Sequence, residues 1–378
     1  MHSTIYNTWK FFMKFGPYRF NLQELAGATG DYGTLLPLAI GYIVVCGLDP
    51  AGFLVMMGIA NIATGTYYKI PMPIEPMKAL AVFAIASGWQ PSLIYASGIG
   101  MGIIWLFIGS TGLMTWFARI TPKSVVQGIQ ASLALLLAIE AFKFIQEGWI
   151  LAIISIVLIL VFRNNRYAPA AIILLIMGIT IMFFQGTLLS IGGPHLTLPR
   201  PVSFSVNQIW ESIVAVGLAQ IPLTATNAVI ATAYLIKEYF PERAVSEKKI
   251  ALNIGIMNIT LPFFGGMPLC HGAGGLAGQY YFGARTGGAN IMEGIIYIIL
   301  GLFFSGSIVL LFKGFPSAII GAMMIMVSAG LLKFTRDLKA EISVVPLVIT
   351  VTGSLLANMA IGFVAGIISH YLIKRICS

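Results

Sequence analysis

The chain has 378 residues, 58% of them hydrophobic and only 9% charged. A soluble globular domain carries roughly 25% charged residues, so an ordinary soluble enzyme or binding domain is excluded and a polytopic membrane protein is indicated. The formal net charge of +9 would suggest nucleic acid on a soluble chain; here it reflects basic residues held in cytoplasmic loops, and no nucleic-acid partner is expected.

A spanning helix needs about 20 apolar residues. In chain order the candidate elements are 22–45, 49–68, 77–88, 91–118, 122–144, 148–162, 167–187, 211–236, 249–264, 271–283, 287–312, 316–332, 342–356 and 358–373. The sequence therefore predicts an all-α polytopic fold of about fourteen elements, of which 77–88 and 271–283 are too short to cross as helix alone. With the N-terminus in the cytoplasm, this count puts most basic residues inside, among them Arg19, Arg119, Arg163, Arg243, Arg285, Arg336 and Lys374. Only Lys143, Arg200 and Lys313 fall outside, with Lys78 inside an element; both termini are expected in the cytoplasm. The first twenty residues lack a short apolar core with a cleavage site, so no signal peptide is predicted. Cys46, Cys270 and Cys377 form no disulfide or metal-ligand spacing, and neither a metal nor a cofactor is expected.

The stretch from Pro71 to Ala81, Pro-Met-Pro-Ile-Glu-Pro-Met-Lys-Ala-Leu-Ala, is unlike any other. Proline lacks a backbone donor and disfavours helix in the residue before it. Residues 71–76 should therefore be extended, with a helix starting near Met77. Such backbone within a bilayer must line a cavity rather than face lipid. Met72-Pro73-Ile74 is matched 195 residues later by Met267-Pro268-Leu269. The same offset carries Gly30-Asp31-Tyr32-Gly33 onto Ala225-Thr226-Asn227-Ala228, and an offset of 194 carries Pro122 onto Pro316. These matches imply two repeats, residues 1–188 and 205–378, of seven segments each. Seven is odd, so the halves would be inverted in the membrane, an architecture of transporters with broken helices at the midplane.

The second short element should turn helical around His271 to Gly275. Two half-helix N-termini would then meet near the bilayer centre, each with free N–H groups and about half a positive charge. Glycines 272, 274 and 275 would let a compact oxyanion reach the backbone; alternatively they serve helix packing, as expected of Gly98, Gly100 and Gly102. Asp31, Glu75 and Lys78 are intramembrane charges and hence functional candidates. Asp31 either couples transport or accepts hydrogen bonds from a broken element. Lys78 either neutralises a carboxylate or adds positive potential. Glu75 beside an anion is unfavourable, so it is paired with Lys78, protonated or turned away; its protonation on anion binding would couple uptake to protons. Glu140, Glu211 and Glu293 lie nearer helix ends and are expected to meet water or loop charges. In the eighth segment Gln220, Thr224, Thr226 and Asn227 can donate to oxyanion oxygens, unless the threonines bond their own helix carbonyls. Cys270 and His271 are not expected to form a catalytic pair, and no catalytic residue is assigned.

The segments 21–37, 71–79, 223–231 and 265–277 resemble the molybdate transporter family related to the sulfate permeases, and the resemblance covers nearly the whole chain. It implies two inverted seven-segment repeats divided into a core domain, segments 1–4 and 8–11, and a gate domain, segments 5–7 and 12–14. Carried over by position, it places Pro73, Glu75, Pro76, Met77 and Lys78, and Cys270, His271, Gly272, Ala273 and Gly274, at the substrate. Glutamine is expected where this chain has Glu75. The implied function is transport of a tetrahedral oxyanion, most simply molybdate, across the cytoplasmic membrane by movement of the core against the gate, with Gly88, Gly98 and Gly100 easing the sliding. Sulfate or tungstate transport, a nucleobase transporter and an anion channel are the alternatives; an intramembrane enzyme has no nucleophile–base pair to use. The lipid bilayer is the other partner, and a homodimer is left open.

Overall fold

A computed structural model describes residues 13–114, 120–162, 170–187, 193–333 and 341–377. Arg119, Arg163, Arg166 and Arg336, and the expected segment ends at 115–118 and 167–169, lie outside these. The chain opens with a hairpin of β1 (Met13–Phe15) and β2 (Tyr18–Phe20). The first membrane element follows as α1 (Leu22–Ala28), a 3-10 turn at Thr29–Asp31, and α2 (Tyr32–Val44). Next come α3 (Pro50–Tyr68), β3 (Glu75–Pro76), α4 (Lys78–Ser87) and α5 (Pro91–Thr111). Then come α6 (Lys123–Ile145), α7 (Trp149–Phe162) and α8 (Ala170–Phe184). The second half holds α9 (Val206–Tyr239), α10 (Glu247–Thr260), β4 (Leu269–Cys270) and α11 (Ala273–Phe282). It ends with α12 (Gly288–Gly314), α13 (Ser317–Lys333), α14 (Glu341–Leu356) and α15 (Met359–Cys377).

Local chemistry sets the boundaries. Asn21 caps α1 by accepting the Glu24 amide, and Asp49 caps α3 by accepting from Ala51 with Pro50 in the first turn. Lys69 ends α3 in the left-handed region at φ 60°, so the chain leaves that helix ready for the extended prolines that follow. The half-helices α4 and α11 are ten residues each and begin 195 residues apart. Both end on a left-handed glycine, Gly88 at φ 59° and Gly283 at φ 116°, a conformation that costs a side chain-bearing residue and favours glycine.

Among the described residues, five helices are long and apolar enough to cross a membrane: Pro91–Thr111, Lys123–Ile145, Val206–Tyr239, Gly288–Leu311 and Met359–Ile376. Shorter apolar helices accompany them, including α4, α7 and part of α8. Large apolar side chains such as Phe107, Ile139, Ile150, Leu160, Phe183 and Leu372 are exposed along α5, α6, α7, α8 and α15, the faces a lipid environment covers. Inside, α3 packs along α12, α5 along α10, α6 against α13 and α14, and α14 against α15. Glycines permit the α5–α10 approach: a methyl on Gly102 would lie 2.7 Å from the Ile259 nitrogen, and one on Gly255 2.7 Å from the Leu106 nitrogen. Gly98 packs on Pro262 and Gly100 on Ile209 and Ile213. These glycines serve close packing within one group of helices.

Two features depart from the sequence reading. The proline-rich stretches pair as a two-stranded antiparallel ladder, β3 with β4, because extended backbone in an apolar interior needs partners for its N–H and C=O groups. The eighth segment is π-helical at Ile213–Gly217 and again at Thr224–Ala231, around Pro222. The second π-segment starts 195 residues after the 3-10 turn at Thr29–Asp31.

Candidate functional site

The site is built on the β3–β4 ladder. Glu75 pairs with Cys270 and Pro76 with Leu269, and the Met77 amide donates to the Pro268 carbonyl at 3.0 Å. Because the strands are antiparallel, α4 and α11 leave the ladder in opposite directions with both N-termini beside it. Two strands cannot satisfy each other completely, and asparagines supply the rest. Asn290 on α12 accepts from the Met72 amide at 2.9 Å and donates to the Met72 carbonyl at 2.7 Å and to Asn61 at 2.8 Å. Asn258 on α10 does the same for Leu269, at 2.9 and 2.6 Å. The sequence reading passed over these residues. Their signal was visible, since a buried amide in an apolar helix needs a partner, and all three are buried.

His271 is fully buried, with Nδ1 2.9 Å from the Pro73 carbonyl oxygen and Nε2 2.8 Å from the Asn253 side-chain oxygen Oδ1. Both ring nitrogens are engaged, so its geometry is that of a brace between the first extended stretch and α10. The Cys270 thiol is buried against the Pro76 carbonyl at 3.7 Å.

The two helix starts differ. At α4, the Gln220 side-chain oxygen accepts from the Ala79 amide at 2.8 Å and the Leu80 amide at 3.3 Å, while its amide nitrogen donates to the Thr224 hydroxyl at 2.7 Å. Gln220 on α9 is thus the cap of α4, and the expectation of two equally free N-termini is corrected. At α11 the N-cap residue is Gly272, which has no side chain to offer, and among the described residues no side chain hydrogen-bonds the first amides as Gln220 does at α4. Helix geometry leaves the amides of Ala273, Gly274 and Gly275 without an intrahelical acceptor. Gly274 is exposed, and a methyl built on it would meet nothing within 4 Å.

The Glu75 carboxylate lies over this second start. Methyl groups on Gly272 and Gly275 would fall 2.6 Å from its Oε2 and 3.2 Å from its Cδ respectively. Only glycines let the carboxyl group come so near the backbone. Lys78 pairs with Glu75 Oε2 at 3.0 Å; Glu75 is 1% exposed and the lysine side chain 23%. An ammonium and a helix N-terminus therefore flank one buried carboxylate, a favourable arrangement for negative charge. Of the two roles open to Lys78, it takes the neutralising one in this structure.

Along α9, Thr226 donates to the carbonyls of Pro222 and Leu223 at 2.8 and 3.5 Å, so its hydroxyl proton is spent on its own helix. Thr224 accepts from Gln220 and keeps its proton to give. Asn227 is half-buried, and its backbone carbonyl accepts from Thr232 at 3.0 Å. Asp31 is buried with no hydrogen-bond partner for either oxygen, so the expected bonds from a broken element are not there. Glu293, expected to meet water or loop charges, is 1% exposed and accepts from the Tyr297 hydroxyl at 2.6 Å; packing of α12 on α3 and α2 buries it. Glu140 pairs with Lys143 at 2.6 Å, and Glu211 is exposed. Among the described residues no group of three or more His, Cys, Asp or Glu could hold a metal ion. The arrangement offers backbone donors, an ammonium and hydroxyls, groups of the kind that hydrogen-bond an anion.

The fold is shared with solved membrane transporters. It matches the murine Solute Carrier 26 family member A9 anion transporter in its inward-facing state with a TM-score of 0.70 at 15% identity, over 97% of this chain and 70% of that one. It matches the transmembrane domain of the cyanobacterial bicarbonate transporter BicA with a TM-score of 0.62 at 14% identity, over 93% of this chain and 96% of that one. The chain is a multi-pass membrane protein of this transporter fold. A family model described as a molybdate transporter of the MFS superfamily matches residues 23–137 and 212–331. Molybdate transporter 1 of Arabidopsis thaliana is 31% identical, over 92% of this chain and 87% of that protein. The chain belongs to the molybdate transporter family.

Proposed function

We propose that the protein carries molybdate across the cytoplasmic membrane by alternating access, seating the dianion at the N-terminus of α11. One observation carries the reading: α11 starts without a side-chain cap beside a membrane-buried ladder, and at Gly274 its first turn is open. Backbone amides and the helix dipole suit a compact oxyanion there. Lys78 and the Thr224 hydroxyl would complete the donor set, with Pro76 and Cys270 of the ladder and Pro73 and Met77 beside it as its floor. Glu75 is the resident anion, which substrate displaces or which a proton neutralises as substrate arrives.

Several observations support an inverted repeat of two seven-segment halves. The equal half-helices start 195 residues apart, and irregular turns break the first element and α9 at the same offset. Packing also follows a two-fold pattern: α3 on α12 corresponds to α10 on α5, and α6 on α14 to α13 on α7. The core would comprise the first element to α5 and α9 to α12, and the gate α6 to α8 and α13 to α15, with both termini cytoplasmic. Extended backbone and half-helix ends at such a repeat interface are where transporters bind substrate. A homodimer would leave the core free to move.

The test is thermal stabilisation of purified protein by molybdate, tungstate, sulfate and uracil. A ligand at 100 times its dissociation constant adds about 2.7 kcal/mol. Molybdate is expected to stabilise most and uracil not at all. No response to any oxyanion contradicts the reading, and a response to sulfate alone moves it to that anion.

A further inference from the structure

We propose that Asp31, Gln279, Glu293 and Tyr297 form a binding site for a monovalent cation, a sodium ion or a proton, that travels with the oxyanion. The site lies where three elements meet. Asp31 ends the 3-10 turn that interrupts the first membrane element, Gln279 is on α11, and Glu293 and Tyr297 are on α12. The first two approach through glycine: a methyl on Gly30 would lie 2.6 Å from the Gly278 carbonyl oxygen. Tyr32 stacks on Tyr297 with ring centroids 6.5 Å apart, which brings the start of α2 onto α12.

Two independent features call for a cation. The first is unmet hydrogen bonding. Both oxygens of Asp31 and both polar atoms of the Gln279 amide are buried without a partner, while Glu293 has the Tyr297 hydroxyl on Oε1. Exposure is 4% for Asp31, 0% for Gln279 and 1% for Glu293. Buried polar groups in native proteins are otherwise satisfied almost everywhere. The second is charge. Asp31 is within electrostatic reach of Glu293, Glu75 and Lys78. Were all three carboxylates ionised against one ammonium, the excess of negative charge would lie in a region of low dielectric, where it is far more costly than in water, so protons or a bound cation must offset it. Bringing a dianion onto α11 adds to that excess unless positive charge enters too. The donor set is carboxylate, amide and hydroxyl oxygen, which suits a hard cation or a proton rather than a thiophilic metal. Interrupted helices at transporter midplanes are also where coupling ions bind.

The site itself stands apart from the molybdate reading; only its coupling role rests on that reading. The test therefore uses purified full-length protein without oxyanion. The thermal midpoint is measured in sodium, potassium and N-methylglucamine chloride between pH 5.5 and 8.5, for wild type, Asp31→Asn, Glu293→Gln and Gln279→Ala. The titratable and charged groups facing Asp31 are Glu75 and Lys78 from β3–α4, Glu293 and Tyr297 from α12, and Tyr32 from α2, and all but the substituted one remain in each variant. If sodium occupies the site, the wild-type midpoint rises with sodium but not potassium, and the rise is lost in all three variants. If a proton does, the cations act alike, the wild-type midpoint rises on acidification, and that rise shrinks in Asp31→Asn and Glu293→Gln. Wild type and variants responding alike to sodium and to pH overturns the site. Should Asp31→Asn not fold, Glu293→Gln, which keeps an acceptor for Tyr297, decides. Protein that answers sodium or pH but no oxyanion would keep this site and break the molybdate reading.

Discussion

The two half-helix starts are alike in backbone and unlike in chemistry. Each follows an extended proline-bearing stretch and one strand of a shared ladder, and each opens a ten-residue helix ending on a left-handed glycine. Each stretch is held by an asparagine from a neighbouring helix. Yet α4 begins under the Gln220 side chain, while α11 begins with no cap, facing the Glu75 carboxylate and open at Gly274. Two similar backbone stretches thus carry unlike side-chain surroundings. One N-terminus is closed by the protein, and the other is the seat proposed for the anion.

The largest expected effect tests the scaffold common to both half-helices. Asn258→Ala and Asn290→Ala each leave a buried N–H and C=O unpaired, and each should lower unfolding stability by about 2–6 kcal/mol, since an orphaned buried group costs about 1–3. Chemical denaturation in detergent reads this, and a loss confined to one of the two would break the equivalence of the scaffolds. Gly274→Val probes the open helix start. With nothing within 4 Å of its added carbon, the variant should keep its thermal midpoint but lose molybdate affinity by at least about tenfold, or 1.4 kcal/mol, in a binding titration. Wild-type affinity would remove the α11 N-terminus from the site. Gln220→Ala probes the closed helix start. Loss of a helix cap should cost about 1 kcal/mol of stability, and molybdate affinity should stay within about threefold, under 1 kcal/mol. A larger loss of affinity would mean that α4 also holds the anion.

Much of this was legible in the residues. Prolines 71, 73 and 76 have no helical reading between apolar runs, and their echo at Met267-Pro268 located the partner stretch. The half-helices began within two residues of the expected positions. What the sequence concealed is pairing. Nothing in Glu75 or Cys270 announces a strand rung, because pairing depends on which stretch lies alongside. Gln220 read as an anion donor; its role as a cap depends on the depth at which α9 passes α4. Glu293 read as water-facing because it lies six residues into its helix, whereas packing of α12 on α3 and α2 buries it. The asparagines were visible but ambiguous, since an amide serves backbone, side chain or ligand equally well.

The central claim is that substrate and the Glu75 carboxylate compete for one seat at the start of α11. The most direct measurement is molybdate affinity in Glu75→Gln against wild type at pH 7.5 and 5.5. Glutamine keeps the shape and removes the charge, so the variant should bind about tenfold more tightly at pH 7.5, a gain of about 1.4 kcal/mol. Equal or weaker binding by Glu75→Gln at both pH values would contradict the account.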